Sequence, residues 1–521
     1  MMKTLWYGGT IYTMIGEGDT VEALLVEDGK IIKTGAYEKL APLANEKKDL
    51  HGNVMYPGFV DNHIHLIGYG ELLMKRTLHH VTTAAQMLEE LKAEAKQLDG
   101  KAWLYADMWD DNQLDRLPTI KELDAIYEGP MMLRRVCRHV ALTNHAGLAQ
   151  LNIHEQSENP PSGTYGRDAD GRLNGLLYES ANDALLELAS SNVSEAQLDD
   201  MMRLAIDQLV ANGITGVHSE DLGYFGHYTK SLGAYHRIIG RERHFRAHML
   251  RNHRVFEQMI KDGATSEHPY IEMGAMKIFA DGSFGGDTAY LVEPYETAPT
   301  KGLRIHTDEE MLALVQLARK YDCAIAVHAI GDGAIEQVIE VLEKVEPVHM
   351  RDRYIHGSLC TPAQIERLAS LNVVVDAQPI FLLSDMPWVA KKLGNTRAQY
   401  LYPWKSFLKA GLVLGAGTDA PIERINPFEN IYAGVTRQPF SGGDVYGENE
   451  RLSAYDLIHM YTVGSAYTGN QETYRGHIAP QFDADFTIVD RDLCQCTPQE
   501  ILQTVVIETV VAGNVVYQHE K

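Results

Sequence analysis

The chain has 521 residues, 45% hydrophobic and 23% charged, an ordinary globular composition able to bury a large core. Its formal charge of −24, from 71 acidic and 47 basic residues, repels phosphate and argues against nucleic acid and anionic membrane as partners. No apolar stretch approaches the roughly 20 residues of a membrane span.

The start, MMKTLWYGGTIYTM, has no continuous apolar core and no small-residue cleavage site, so no signal peptide is read. The first 50 residues read as short strands and turns. In VEALLVEDGKIIKTG, Asp28-Gly29 lies between two apolar runs, a hairpin signal. PGFVDNHIHL, residues 57 to 66, then ends an apolar run in His63 and His65. Side chains i and i+2 of a strand share a face, so the pair can grip one ion from one side. The alternative is two structural histidines.

An excursion from about 70 to 205 follows. It holds the amphipathic helix AAQMLEELKAEAKQL, the aromatic-rich WLYADMWDDNQ, and PMMLRRVCRHVALTNHAGLA. In the loop NPPSGTYGRDADGRLNG, Asp168 and Asp170 read as turn formers. A helix opened by a Ser194…Gln197 capping box and stopped by Gly213 closes it. An insertion of this size between barrel strands reads as a lid or pocket wall.

From about residue 205 strands and helices alternate. GITGVHSE, HFRAHML and GAMKIFADG are strands; TDEEMLALVQLARKYD is a helix with a Thr307…Glu310 capping box. Then come strand CAIAVHA, helix GAIEQVIEVLEKV, strand RYIHGSL, helix TPAQIERLASL, strand VVVDAQPIF, a short helix at WKSFLKAG and strand LVLGAGTDAP. Repeated βα units imply a parallel sheet, and with FVDNHIH the strands number eight, which suits a closed barrel. DADFTIVD and TVVIETVVAGNVVYQ return to the β style of the start. The expected organisation is one composite β-domain from residues 1–56 and 475–521, and a barrel at 57–474 carrying 70–205 as its insertion.

The polar residues fall at the ends of those strands. His63 and His65 end the first, Lys277 lies in GAMKIF, His328 ends AIAVHA, His356 sits in YIHG and Asp419 ends LGAGTDAP. Barrel active sites are built at the C-terminal ends of strands. Imidazole and carboxylate suit Zn²⁺, Mn²⁺, Fe²⁺ or Co²⁺. Asp419 has two oxygens, so one can touch a metal while the other takes a proton from water.

PGFVDNHIH, KIFADGSFGG, VHAIGDGA, YIHGSL, GTDAPI and APQFDADFTIVD, with WDDNQLDRLPT and GRDADGRLNGLLYES in the insertion, resemble the amidohydrolase superfamily. Within it they resemble the branch of N-substituted formamide deformylase-like metal-dependent hydrolases (amidohydrolase family 3). The resemblance covers nearly the whole chain. It implies an α/β fold, a distorted (β/α)8 TIM barrel with a composite β-sandwich, and places His63, His65, Lys277, His328, His356 and Asp419 on metal-ligand positions. It also implies carboxylation of Lys277, whose carbamate would bridge two divalent ions, Zn foremost; the alternative is a plain ammonium. Two departures stand out: Ile355 precedes His356 where the family has an acidic residue, and Gln481-Phe482 alters the late turn, a change expected to concern the β-domain alone.

His218, at the end of the second strand, and Asp281, in FADGS, are candidates for substrate binding, against core and loop-capping roles. Trp109 and the Arg138-His139 pair are candidates for lining the cavity, against packing or solvent-facing roles. The expected function is hydrolysis of a non-peptide C–N bond (amide, formamide or cyclic amide) by hydroxide that the metal activates, with Asp419 as general base. Rival readings are a mononuclear deaminase that leaves Lys277 uninvolved, and a non-catalytic metal-binding regulatory protein. The expected partners are a small-molecule substrate and a second copy of the chain in a homodimer. Five cysteines, Cys137, Cys323, Cys360, Cys494 and Cys496, are few, odd in number and without zinc-ribbon spacing, which fits reduced thiols in a cytoplasmic protein.

Overall fold

The computed structural model describes residues 2–520 except 112, 136–139, 161–162, 183–184, 186–192, 265–267 and 441. The chain divides into two compact units. One comprises Met1–Tyr69, Met202–Gly223 and Ser231–Lys521; the other comprises Gly70–Met201 and Tyr224–Lys230.

The first unit is built on eight parallel strands: β1 (Phe59–Ile64), β2 (Ile214–Ser219), β3 (Arg246–Asn252), β4 (Ile271–Phe279), β5 (Ile325–Ala329), β6 (Asp352–His356), β7 (Val373–Ala377) and β8 (Leu414–Ala416). Each pairs with its neighbours in chain order from β1 to β8. β6 and β7 are buried at every position, as expected of a parallel sheet covered on both faces. The return of β8 to β1 depends on small residues. A Cβ on Gly415 would stand 2.3 Å from the Asn62 amide, and one on Gly417 would stand 2.6 Å from the His63 nitrogen. With glycine at both, the chain closes in, and the Asp419 N–H donates to the His63 carbonyl at 2.7 Å. The result is a nearly closed barrel.

The helices between the strands start where the side chains dictate. Thr307 and Glu310 cap Asp308–Lys320 reciprocally, and Thr361 and Gln364 do the same for Pro362–Ala369. Among the described residues no helix is long and apolar enough to cross a membrane.

Strands from both termini share one eight-stranded sheet. Its order runs Asn514–Gln518, Val506–Val511, Phe486–Val489, Val54–Pro57, Lys3–Tyr12, Thr20–Glu27 and Lys30–Gly35, with Glu46–Asp49 beside Lys3–Tyr12. Period-two alternation sends Trp6 and Leu24 into one core and Leu5 and Leu25 into another. This sheet clusters with the barrel rather than apart from it. The Phe59 N–H donates to Thr487 Oγ1 at 3.0 Å, and Thr487 Oγ1 donates to the Gly213 carbonyl at 2.6 Å. The altered residues of the late turn lie in this β-domain, where Gln481 and Phe482 exchange main-chain hydrogen bonds with Ile31; the aspartates after them reach the barrel, as Arg246, at the start of β3, pairs with Asp483 at 3.2 Å and donates to Asp485 at 3.0 Å.

The second unit has a six-stranded sheet of its own, in the order Gly163–Arg167, Leu173–Glu179, Val140–Leu142, Met131–Arg135, Leu104–Trp109, Arg76–Thr77. The last three strands are parallel and the others antiparallel. Trp109 lies in its core among Leu104, Met131 and Leu133, with the indole N–H donated to the Leu133 carbonyl at 2.8 Å. Asp168 forms the turn expected of it, accepting from the Asp170 and Arg172 N–H groups.

Candidate metal centre

His63 and His65 end the β1 segment, and both imidazoles turn to one carboxylate. Asp419 Oδ1 lies 3.5 Å from His63 Nε2 and 3.4 Å from His65 Nε2. Both distances exceed an ordinary hydrogen bond, and Oδ1 is a buried oxygen with no donor among the described residues. Bonds of about 2.0–2.1 Å in a tetrahedral shell place ligand atoms roughly 3.4 Å apart. The spacing is that of donors around one ion.

The ring nitrogens facing away decide which ones face in. His65 Nδ1 is 2.6 Å from the Glu220 carbonyl, which can only accept, so Nδ1 carries the proton and Nε2 is left for the centre. His328 Nε2 meets the Gly282 carbonyl at 2.9 Å, leaving Nδ1 inward. His356 Nδ1 meets Gln378 Oε1 at 2.9 Å, and the amide is oriented by Gln378 Nε2 donating to the Asp376 carbonyl at 3.1 Å. His356 Nε2 therefore faces inward, 2.9 Å from His328 Nδ1. Two lone pairs are thus aimed at each other, an arrangement that calls for a proton or a cation. Burial pushes the His63 and His356 imidazoles well below their ordinary value, so both are neutral donors. His63, His356 and Asp419 offer ligand atoms within 4.8 Å of one another. On this donor chemistry the residues fit a divalent metal.

Two of these residues hold unusual backbone. His356 has φ 84° and Asp419 φ 56°, a left-handed region that costs a non-glycine residue about 1–3 kcal/mol. The turn at each strand end aims the side chain across the barrel mouth. Beneath them Arg353 pairs with Asp376 at 2.8 Å and donates to the Asn62 carbonyl at 2.8 Å, tying β6, β7 and β1 together below His63. Ile355, where the family has an acid, packs with Leu250, Ala275 and Ala326, so that departure falls on core packing.

Lys277 Nζ lies 3.2 Å from His63 Nε2 in full burial. Burial draws its pKa down to about 8, against the pull of Glu220, Asp419 and Asp376. For His65, burial works against a second proton, but the Asp419 carboxylate lifts the imidazole to about 9, so Nε2 takes either a proton or the cation that replaces it.

The structure thus brings His63, His65, Lys277, His328, His356 and Asp419 together, with Asp281 Oδ1 3.4 Å from His328 Nε2 on the outer side of that ring. His218 packs on His248 with ring centroids 4.7 Å apart. With Thr215, Arg246 and Arg475 it lines a cavity of about 20 Å³. No hydrogen bond, ion pair or ring contact among the described residues joins it to the ligand set. Asp281 accepts the N–H groups of Ile330, Gly331 and Tyr290 at 2.9–3.0 Å, the loop-anchoring alternative. Trp109 is a core residue of the second unit. His139 and Arg138 lie outside the described residues. Sequence reasoning missed Glu220 and Gln378; Glu220 had a visible signal, since it directly follows β2, at a strand end like the ligands themselves.

A match to the Amidohydrolase family spans residues 48–517. The chain is 39% identical over 532 residues to the "Putative amidohydrolase YtcJ" of Bacillus subtilis (strain 168), covering 99% of this chain and 100% of that protein. It is 24% identical to the "N-substituted formamide deformylase" of Arthrobacter pascens, over 99% of each. Among solved structures, an uncharacterized metal-dependent hydrolase from Pyrococcus furiosus aligns with a TM-score of 0.83 at 28% identity, over 95% of this chain and 100% of that one.

Proposed function

The chain belongs to the amidohydrolase family, and from that premise we propose that this metal-dependent hydrolase cleaves a non-peptide C–N bond in an amide, formamide or cyclic amide. The observation that carries the reading is the inward-facing donor set: His63, His65, His328 and His356 with the Asp419 oxygen among them.

A divalent ion, Zn²⁺ in the first instance, lowers the pKa of a bound water towards about 7 and polarises a carbonyl oxygen. His63, His65 and Asp419 would hold one such ion, and His328 with His356 a second. Lys277 in its amine form donates to His63 and occupies a lone pair the metal needs. Attack of the neutral amine on CO₂ forms an N–C bond, releases a proton and turns Lys277 into an anion that two cations can share. Asp419 then works as the proton shuttle: its second oxygen accepts the proton of the attacking water and returns it to the leaving nitrogen. The polar layer of Arg353, Asp376 and Asn62 keeps the β1 histidines in place during that transfer.

The 3.2 Å contact also admits a mononuclear deaminase in which Lys277 stays an ammonium bonded to His63. Metal stoichiometry separates the two: about two equivalents with carboxylated Lys277 supports the proposal, one equivalent with a plain amine supports the deaminase. The same preparation, offered a panel of amides, formamides and cyclic amides, should turn over at least one; no turnover of any would reject the C–N hydrolase. A cytoplasmic location, on the thiol content, and a homodimer are proposed with it.

A further inference from the structure

We infer that Glu220 is a positioning residue of this centre, holding His65 by its main-chain carbonyl and setting its buried carboxylate beside the same imidazole. The inference rests on the metal-centre reading and extends it to a residue outside the ligand set.

Glu220 is pinned to the ligand strand at two points. Its N–H donates to the carbonyl of Ile64, the residue between the two histidines, at 3.0 Å, and its own carbonyl accepts His65 Nδ1–H at 2.6 Å. The side chain is fully buried. Oε2 stands 4.0 Å from His65 Nδ1, and Oε1 accepts from Asn252 Nδ2 at 3.2 Å. Asn252 is the cross-strand partner of Lys277 in the β3–β4 ladder. The carboxylate therefore sits beside His65 and is tied through Asn252 to β3, at the position that pairs with Lys277 on β4.

A carboxylate out of water is costly unless a cation answers it. The His65 imidazole stands 4.0 Å from it, and among the acids acting on Lys277 Glu220 pulls hardest, ahead of Asp419. Its neighbour shows the contrast. Asp221 accepts the N–H groups of Ile67 and Gly68 and the hydroxyls of Ser219 and Tyr235, which is scaffolding. Glu220 faces the ligands. Outer partners of metal-binding histidines set the tautomer and raise donor strength, and losing one typically costs 10–100-fold in metal affinity.

The test is to titrate Zn²⁺ and Co²⁺ into metal-free full-length protein against a chromophoric chelator, for wild type, Glu220→Gln and Glu220→Asp. Glu220→Gln keeps the shape, the carbonyl and an acceptor for Asn252, and removes the charge. It should weaken binding about tenfold, the low end of the cost of losing an outer partner because the carbonyl bond to His65 stays, without lowering the thermal midpoint of the metal-free protein. Glu220→Asp, which draws the charge back by one methylene, should fall between, several-fold weaker than wild type. If Glu220→Gln does not fold, the aspartate variant decides. Affinity within twofold of wild type in the variants that fold would overturn the inference and leave the metal centre standing. So would a lower midpoint with unchanged affinity, the mark of scaffolding. A wild type that binds neither ion would overturn both together.

Discussion

His328 Nδ1 and His356 Nε2 face each other across 2.9 Å, and in each ring the other nitrogen is already a donor, to the Gly282 carbonyl and to Gln378 Oε1. Neither ring can switch tautomer without breaking an outer bond, so the pair is set to take a cation. Gln378→Leu removes the acceptor that orders His356. Its metal affinity, measured by chelator competition, should drop about 10–100-fold; an unchanged affinity would mean the tautomer is set elsewhere.

Replacing His63 and His65 together by alanine should abolish activity and lower bound metal while the barrel stays folded. The readout is thermal. A ligand at 100 times its dissociation constant stabilises the native state by about 2.7 kcal/mol, so added Zn²⁺ should raise the wild-type melting midpoint more than that of the double variant. Metal content at the wild-type level in the double variant would refute the assignment.

Lys277→Ala should lose activity, with partial rescue by short carboxylic acids able to stand in for the carbamate. A structure at near-neutral pH with two ions and an unmodified amine would sink the shared-anion idea.

Burial holds Lys277 at about 8, below the ordinary lysine value. Only the neutral amine reacts with CO₂, so about a tenth of it is competent at pH 7 and about half at pH 8. At fixed dissolved CO₂, the initial rate of carboxylation of metal-free protein, followed by ¹³C NMR of the carbamate carbon, should rise several-fold between those values and level off above pH 8. A rate that keeps rising about tenfold per pH unit above pH 8, as for an ordinary lysine, would contradict the depressed amine.

Asp419→Asn keeps one ligating oxygen and removes the base. Metal should largely stay while turnover falls by at least about 10²–10⁴-fold, the usual worth of general-base catalysis. Turnover within a few-fold of wild type, on protein that keeps its metal, would move the base elsewhere. His218 is not placed to take over, since it is packed against His248.

The sequence alone determined the barrel and marked the candidate ligands, and for a local reason. Strand parity puts His63 and His65 on one face, and βα punctuation marks the strand ends where His328, His356 and Asp419 fall, so spacing and position suffice. Parity did not settle His218, because the irregular pairing of β1 with β2 around Val217–Ser219 breaks the simple alternation. It did not reveal the six-stranded sheet of the second unit either. Those strands are short, and their partners are chosen by a core around Trp109 that no single segment displays. What only the tertiary structure decided is which nitrogen His65, His328 and His356 present. That choice is made by Glu220, Gly282 and Gln378, which lie 155, 46 and 22 residues from the rings they orient. A hydrogen bond between groups so distant leaves no periodicity in the chain, and it exists only once the strands have closed around the site.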